Sequence, residues 1–300
     1  MNLPEKVEII EVGPRDGIQN ESNFIPTENK IELINALNKT GIKRMEATSF
    51  VHPKYVPQMK DAKEVLEGIE KDSSIQYMAL IPNEKGYERA IESGIKALSL
   101  VVGASNSFNL KNVKMTREQS INSFETVIKK AKEQTIFIRY NIATSFWCPF
   151  DGKVNSEIVL HMAEKAELLG VDEIVLCDTI GRANPSQVFE LFEKVNSLKT
   201  NAIITAHFHD TYGMALANIL AALQAGVTHF DASIGGLGGC PFAPGAAGNA
   251  ATEDIVFMLH EMGIETGIDL ERLLACVDRV KPLTNRTLTG HLTNVRGCQI

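Results

Sequence analysis

The chain has 300 residues, 44% of them hydrophobic, which is enough for one large domain or two small ones. Its formal net charge is −7 without any block of Lys and Arg, which argues against a nucleic-acid partner because phosphate binding needs clustered basic side chains. The cysteines are widely spaced, no signal or transit segment opens the chain, and no run of about 18 apolar residues occurs, so a cytoplasmic protein that does not span a membrane is expected.

Apolar segments typical of buried strands recur along the whole chain. We predict eight of them, at 7–12, 43–48, 75–81, 97–102, 136–142, 173–177, from 202 to the histidines at 207 and 209, and 229–233. Helical patterns separate them, at 28–39, 59–68, 84–93, 117–133, 156–169, 185–197 and 212–225. Two further helices are predicted after the last strand, at 250–262 and 270–280.

Strands that alternate with helices over short connections are typical of a parallel sheet covered by helices. Eight such units favour an α/β fold that closes into a TIM (β/α)8 barrel over an open doubly wound sheet, which more often uses five or six strands. No linker or compositional break interrupts the series, so we predict a single domain over residues 1–300 with extra C-terminal helices. The active site of such a barrel lies at the C-terminal ends of its strands.

Two histidines, His207 and His209, end the seventh predicted strand. Because side chains alternate along a strand, both project to the same side, about 7 Å apart along the chain. Two imidazoles on one face form half of a divalent-metal site, although a packed, hydrogen-bonded pair of histidines is the alternative. Asp16, which follows the first strand, adds a carboxylate, and the three together suit Mg²⁺, Mn²⁺, Co²⁺ or Zn²⁺.

Other polar side chains also lie at predicted strand ends. Arg15 follows the first strand, Glu46 lies near the end of the second, and Asp178 follows the sixth. A single aspartate at a strand end is often a helix cap or a turn former, and Asp178 has that alternative role. Glu46 is harder to explain in this way because it sits inside a strand pattern.

A glycine-rich segment at 235–249 follows the eighth strand and contains Cys240. It lacks the Gly-Lys-Ser/Thr ending of a phosphate-binding P-loop, so nucleotide hydrolysis is poorly supported. A cysteine among glycines beside a metal site suggests a lid that delivers a thiol to the reaction, and a buried structural cysteine is the alternative. Asn249, at the end of the segment, is a candidate both for the N-cap of the next helix and for a metal ligand.

Three segments resemble the 3-hydroxy-3-methylglutaryl-CoA (HMG-CoA) lyase family, part of a metallolyase superfamily of TIM barrels. Residues 11–21 are similar to the opening motif of the family, 207–213 to its metal motif and 236–249 to its cysteine-bearing signature loop. The similarity runs over essentially the whole chain. The cysteine loop separates this family from isopropylmalate and homocitrate synthases in the same superfamily.

The resemblance implies cleavage of HMG-CoA into acetoacetate and acetyl-CoA by a retro-Claisen reaction. The implied ligands of a divalent cation, Mg²⁺ or Mn²⁺, are Asp16, His207, His209 and Asn249. The implied catalytic residues are Arg15, Asp16, His207 and Cys240. The implied substrate-binding residues are Arg15, Gln19, Glu46, Asn112 and Asp178.

The resemblance also bears on partners and on rival functions. An acyl-CoA is the expected small-molecule partner, and neither a nucleotide nor a flavin is expected as cofactor. The apolar faces of the C-terminal helices would fit a homodimer. The main alternative activity is the acetyl-CoA-dependent condensation of a 2-oxo acid, as in isopropylmalate or citramalate synthases, which are usually longer and lack the cysteine loop.

Overall fold

A closed parallel barrel forms the centre of the molecule, which the computed structural model describes over residues 3–239 and 248–295. The strands in this part are β1 (Glu8–Glu11), β2 (Arg44–Ser49), β3 (Gln76–Leu80), β4 (Ala97–Gly103), β5 (Phe137–Ala143), β6 (Trp147–Cys148), β7 (Gly152–Lys153), β8 (Glu173–Asp178), β9 (Ile203–Phe208) and β10 (His229–Ala232). The barrel order is β1-β10-β9-β8-β5-β4-β3-β2, while β6 and β7 form a separate antiparallel pair. The predicted TIM barrel is confirmed.

Helices cover the outside of the barrel. They are α1 (Thr27–Leu37), α2 (Ala62–Gly68), α3 (Glu84–Glu92), α4 (Asn106–Asn112), α5 (Arg117–Glu133), α6 (Ser156–Leu168), α7 (Pro185–Ser197), α8 (Ala215–Gln224), α9 (Thr252–Glu261) and α10 (Leu270–Val280). Their apolar faces pack on the sheet in one large hydrophobic core. None of the helices in the described part of the chain is long and apolar enough to cross a membrane.

Local sequence signals fix where several helices begin and end. Capping boxes open α5, with Thr116 and Gln119, and α7, with Asn184 and Gln187. Gly226 follows α8 with a φ of 90°, a left-handed conformation that side chains rarely adopt and that ends the helix. These signals set the short connections that the barrel requires.

Three predicted helix starts are wrong by two or three residues. Helix α2 begins at Ala62 rather than at 59, because Pro57–Met59 form a separate 3-10 turn before it. Helix α8 begins at Ala215 rather than at 212, because Gly213 adopts a left-handed φ of 69° just before it. Helix α9 begins at Thr252 rather than at 250, because Ala251 still pairs with Ser233 in a parallel bridge. For α8 and α9 the extra residues extend the loop at the mouth of the barrel.

Several short elements were not predicted, and three of them shape the mouth of the barrel. They are a π-helical turn at Gly13–Gly17, the helix α4 and the hairpin formed by β6 and β7. Each helix or strand among them has seven residues or fewer, which is too short for a periodic apolar pattern to be recognised. All three follow barrel strands and therefore lie at the mouth.

Charged side chains fill much of the barrel interior, where aliphatic ones are usual. Arg44 on β2 pairs with Glu173 on β8, and Arg139 on β5 pairs with both Glu173 and Asp231 on β10. All four are buried, so each charge depends on its partners for compensation. The network runs along the barrel and ends where Asp231 meets His207.

Candidate metal centre and active site

Three predicted metal ligands come together at the mouth of the barrel. Asp16, His207 and His209 each offer one ligand atom within 4.8 Å of the others, and all three are buried. The imidazole rings lie 5.2 Å apart between centroids. The strand alternation that predicted a shared face for the two histidines is therefore confirmed.

The π-helical turn after β1 brings Asp16 to this cluster. Its backbone is closed by bonds from the N–H groups of Asp16 and Gly17 to the carbonyl of Val12. A Cβ at Gly13 would lie 2.5 Å from Oε1 of Glu11, and one at Gly17 would lie 2.7 Å from Oγ of Ser233. The turn consequently needs glycine at both places.

Asp16 is held as an ionised carboxylate. Its Oδ1 accepts hydrogen bonds from Nη1 of Arg15 and from Nε2 of Gln19, each 2.7 Å long, and its Oδ2 accepts from Nδ2 of Asn249 at 2.8 Å. Burial alone would raise the pKa of Asp16, but Arg15 and the two histidines lower it to about 2. The group is charged at any pH near neutrality.

The two histidines differ in their surroundings. Nδ1 of His207 lies 2.9 Å from Oδ2 of Asp231, whereas Nδ1 of His209 is buried and has no hydrogen-bond partner among the described residues. Burial and the neighbouring His207 lower the pKa of His209 to about 4. His209 is thus neutral near pH 7, and a neutral imidazole is the form that binds metals.

Asn249 reaches the cluster from the other end of the chain. A backbone bridge pairs it with His209, and its Nδ2 donates to Asp16 and to the carbonyl of Leu237. Its Oδ1 is buried without a hydrogen-bond partner in the part of the chain described. The prediction that Asn249 caps the next helix is wrong, because α9 has its N-cap at Ala251, beyond the strand-like bridge.

Two buried polar atoms that have no hydrogen-bond partner among the described residues are suitable ligands for a divalent cation. A buried polar atom without a partner is costly, and here Oδ1 of Asn249 and Nδ1 of His209 are both left in that state. The cluster beside them supplies one carboxylate and two imidazoles. Such a mixed oxygen and nitrogen donor set suits the divalent ions expected from the sequence.

Arg15 lies directly beside this donor set. Its Nε donates to Oε2 of Glu46 at 2.6 Å, and its Nη1 contacts Asp16. Burial acts to lower the pKa of Arg15, but Glu46 and Asp16 outweigh it and raise the pKa above the ordinary value. The guanidinium is therefore a fixed positive charge next to the metal cluster.

The remaining predicted residues occupy different positions. Gln19 contacts Asp16 and belongs to the cluster, whereas Asn112 is exposed at the end of α4. Both carboxylate oxygens of Asp178 accept backbone N–H bonds within the turn that follows β8, and burial raises its pKa to about 6. Asp178 therefore forms a turn, which was the alternative role for it. Cys240 lies outside the described residues.

Asp231 and Arg139 were missed by the sequence reasoning. Burial would raise the pKa of Asp231, but Arg139 and His207 lower it, so the carboxylate is ionised beside the cluster. The signal was available, because each is a charged residue inside an apolar strand pattern, the same feature that singled out Glu46.

Two more buried carboxylates support the start of the glycine-rich segment. Oε1 of Glu11 accepts the backbone N–H of Ile234 at 2.9 Å, and Oε2 of Glu253 accepts that of Gly235 at 3.0 Å. Burial raises the pKa of Glu11 to about 7 and that of Glu253 to about 8, from an ordinary value of 4.5. The two carboxylates join β1 and α9 to this segment.

The raised pKa of Glu253 gives a prediction for stability against pH. Between about pH 4.5 and 8 the folded protein keeps a proton on Glu253 that the unfolded chain has lost, so stability falls as the pH rises through this window. We expect Glu253→Gln to match the wild type near pH 5 and to gain stability relative to it near pH 8.5. Thermal unfolding at both pH values measures the difference, with the exposed Glu261→Gln on the same helix as control. Parallel profiles for Glu253→Gln and the wild type would contradict the prediction.

Comparison with known proteins places this geometry in a family. A family model described as HMGL-like matches residues 6–280. The hydroxymethylglutaryl-CoA lyase YngG of Bacillus subtilis is 45% identical over 293 residues, which cover 96% of this chain and 98% of that protein. The mitochondrial hydroxymethylglutaryl-CoA lyase of Rattus norvegicus is 46% identical over 284 residues, 95% of this chain and 87% of that protein.

Solved structures agree with the sequence relatives. The crystal structure of the Bacillus subtilis HMG-CoA lyase superposes with a TM-score of 0.95 at 44% identity and covers 97% of this chain and 98% of its own. An HMG-CoA lyase from Acinetobacter baumannii, in complex with coenzyme A and 3-methylmalate, superposes with a TM-score of 0.93 at 42% identity and covers 99% of this chain and 97% of its own. The resemblance found in the three motifs is thereby confirmed, and the chain belongs to the HMG-CoA lyase family.

Proposed function

We propose that this protein cleaves (S)-3-hydroxy-3-methylglutaryl-CoA into acetoacetate and acetyl-CoA. Membership of the lyase family supports the reaction class, and the complex of the Acinetobacter baumannii relative with coenzyme A supports an acyl-CoA substrate. The observation that carries the proposal is the fixed charge of Arg15 beside a three-residue metal cluster. Cleavage of a carbon–carbon bond next to a thioester needs both a cation and a positive charge.

The proposed cofactor is Mg²⁺ or Mn²⁺, with Asp16, His207, His209 and Asn249 as its ligands. When bound, such an ion acts as a Lewis acid that lowers the pKa of a substrate hydroxyl. The orphaned Oδ1 of Asn249 and the neutral imidazole of His209 support this assignment. The preference of carboxylate and amide oxygens for Mg²⁺ and Mn²⁺ supports these two ions.

The protein residues have separate proposed roles in proton and charge handling. Either Asp16 or His207 takes the proton from the tertiary hydroxyl of the substrate. Arg15 then faces the thioester oxygen as negative charge moves onto it and stabilises the enolate, since its own charge does not depend on pH. Gln19 and Glu46 hold Asp16 and Arg15 in place, each through one of the short contacts described above.

The other proposed substrate contacts lie further from the cluster. Asn112 is exposed on α4, on the side of the barrel where the substrate would enter, and is available for a substrate contact. For Asp178 the proposed role is to shape the turn after β8, because its oxygens already accept backbone bonds. Neither role involves the chemical step.

Cys240 is the proposed proton donor to the acetyl-CoA enolate, carried on a lid at 235–249. We expect Cys240→Ser to leave Mn²⁺ and substrate binding largely intact while turnover falls by about 10²–10⁴-fold, the usual contribution of a general acid. Steady-state assays of acetoacetate release test this, with Cys276→Ser, a buried cysteine on α10, as the matched control. Near-full activity of Cys240→Ser would exclude the thiol from proton transfer.

One assay separates the proposed lyase from the condensing alternative. The protein, stripped of metal with EDTA and then supplied with Mg²⁺ or Mn²⁺, is incubated either with HMG-CoA or with acetyl-CoA plus 2-oxoisovalerate or pyruvate. We expect metal-dependent acetoacetate release from HMG-CoA and no release of free CoA from the second mixture. Condensation without HMG-CoA cleavage would overturn the proposal. Binding of HMG-CoA without turnover would instead indicate a non-catalytic acyl-CoA-binding barrel.

Three broader features complete the proposal. We propose that residues 1–300 act as one lyase domain, that the protein works in the cytoplasm, and that it forms a homodimer. The apolar exposed faces expected on the C-terminal helices are not found, because none of the large hydrophobic side chains exposed among the described residues lies on α9 or α10. Sedimentation at micromolar concentration tests the oligomeric state.

A further inference from the structure

The register of two neighbouring strands places His207 beside Asp231. They are partners in the parallel pairing of β9 with β10, so their side chains stand on the same face of the sheet. That face is the barrel interior, where both residues are buried. Nδ1 of His207 lies 2.9 Å from Oδ2 of Asp231, which is hydrogen-bond distance.

The carboxylate of Asp231 also binds a second residue, Arg139. Its Oδ1 accepts from Nη2 of Arg139, so its two oxygens face two different partners, the guanidinium and the imidazole. Arg139 also forms an ion pair with a second carboxylate, because its Nε lies 3.3 Å from Oε2 of Glu173 on the neighbouring β8, although without hydrogen-bond geometry. The chain Glu173, Arg139, Asp231 therefore fixes an acceptor at one place on the barrel wall.

This arrangement selects one tautomer of His207. An ionised carboxylate paired with a guanidinium only accepts hydrogen bonds, so Nδ1 of His207 must carry the proton that it shares with Asp231. The lone pair of the neutral ring is then on Nε2. His209 has no such support, because its buried Nδ1 has no hydrogen-bond partner among the residues described.

We propose that Asp231 is a positioning residue of the metal centre, which fixes the ring orientation and the Nδ1–H tautomer of His207 so that Nε2 faces the cation. The proposal rests on the metal site proposed above but not on the identity of the substrate. Carboxylates that orient metal-binding histidines raise metal affinity without touching the metal. A His207 that holds a cation through Nε2 has no second lone pair with which to accept a proton, so of the two candidate bases named above this arrangement favours Asp16.

The first test measures metal binding directly. EDTA-treated Asp231→Asn is titrated with Mn²⁺, and the free ion is followed by its electron paramagnetic resonance signal. We expect the dissociation constant for Mn²⁺ to rise about 10–100-fold relative to the wild type. The matched control is Asp61→Asn, the same substitution at another buried carboxylate, which pairs with Lys30 on α1 and does not contact His207; an unchanged dissociation constant is expected for it.

Two results of the Mn²⁺ titrations would overturn the proposal. A folded Asp231→Asn that binds Mn²⁺ as tightly as the wild type would overturn the proposal. Equal weakening in Asp231→Asn and Asp61→Asn would also overturn it, because the effect would then come from the loss of any buried carboxylate and not from the contact with His207. Circular dichroism and thermal unfolding establish that each variant is folded before it is titrated.

A second measurement is made on the wild-type protein and needs a variant only to assign one set of signals. In the metal-free wild type labelled with ¹⁵N-histidine, the nitrogen shifts of His207, assigned by its absence in His207→Gln, report which ring nitrogen carries the proton. We expect the neutral ring to carry its proton on Nδ1, and a neutral ring with its proton on Nε2 would overturn the proposal. Neither measurement involves HMG-CoA, so a failure of the proposed activity and a failure of the positioning role remain distinguishable.

Discussion

Replacing Asp16 by asparagine should weaken Mn²⁺ binding by more than about 100-fold, because a direct ligand contributes more than the outer residues that cost 10–100-fold when lost. HMG-CoA cleavage should fall with it. The new side chain would keep an amide oxygen for Arg15 and Gln19, and the side chain of Asn249 can turn its own oxygen toward the new amide. The fold should therefore survive, and titration of the EDTA-treated variant measures the loss of the charged ligand alone.

The control for this experiment is a second aspartate, which lies beside the metal-ligating histidines in the sequence. Asp210 follows His209 directly, but its Oδ1 accepts the backbone N–H of Ala215 at the start of α8. We expect Asp210→Asn to retain wild-type affinity for Mn²⁺. If Asp16→Asn bound Mn²⁺ like the wild type, Asp16 would not be a ligand and the proposed metal centre would have to be abandoned.

Replacing Arg15 by glutamine should lower kcat by about 10²–10³-fold, the usual cost of removing one donor that stabilises a developing oxyanion. Affinity for Mn²⁺ should remain, because the variant keeps Asp16, and loss of the neighbouring positive charge does not weaken attraction for a cation. The combination of lost turnover and retained metal distinguishes Arg15→Gln from Asp16→Asn. Steady-state kinetics and Mn²⁺ titration of the same preparation supply both values.

Loss of a buried arginine also leaves Glu46 without its partner, and this needs a stability measurement. Glu46 is 1% exposed, and both Nε and Nη2 of Arg15 contact its Oε2. We expect a lower unfolding temperature in Arg15→Gln, so activity must be compared well below it. The exposed Arg272→Gln on α10 controls for loss of an arginine far from the mouth. An unchanged kcat in folded Arg15→Gln would rule out charge stabilisation by this residue.

Much of the architecture was predictable because its signals are local. Eight apolar strands alternating with helices require little more than short-range periodicity to recognise, and the closed barrel follows from their number. The shared face of His207 and His209 follows from strand alternation alone. The short elements at the mouth escaped prediction because seven residues or fewer carry no readable period.

The roles of single polar residues were less predictable. Asp178 matches a family position, yet only the backbone of the turn after β8 reveals that both its oxygens are already engaged. From the sequence, Asn249 is predicted to cap a helix because it precedes an amphipathic pattern. In the folded chain a bridge to His209 delays the helix and turns the amide of Asn249 toward Asp16.

By itself the sequence determined the barrel, the family and the three residues that form the metal cluster, since these depend on periodicity and on contiguous motifs. Only the tertiary structure decided what surrounds them. Asp231 meets His207 because β10 pairs with β9 in one register, and Arg139 reaches Asp231 because the sheet closes and puts β5 across from β10. Register and closure are set by the packing of the whole barrel, and no spacing along the chain encodes them.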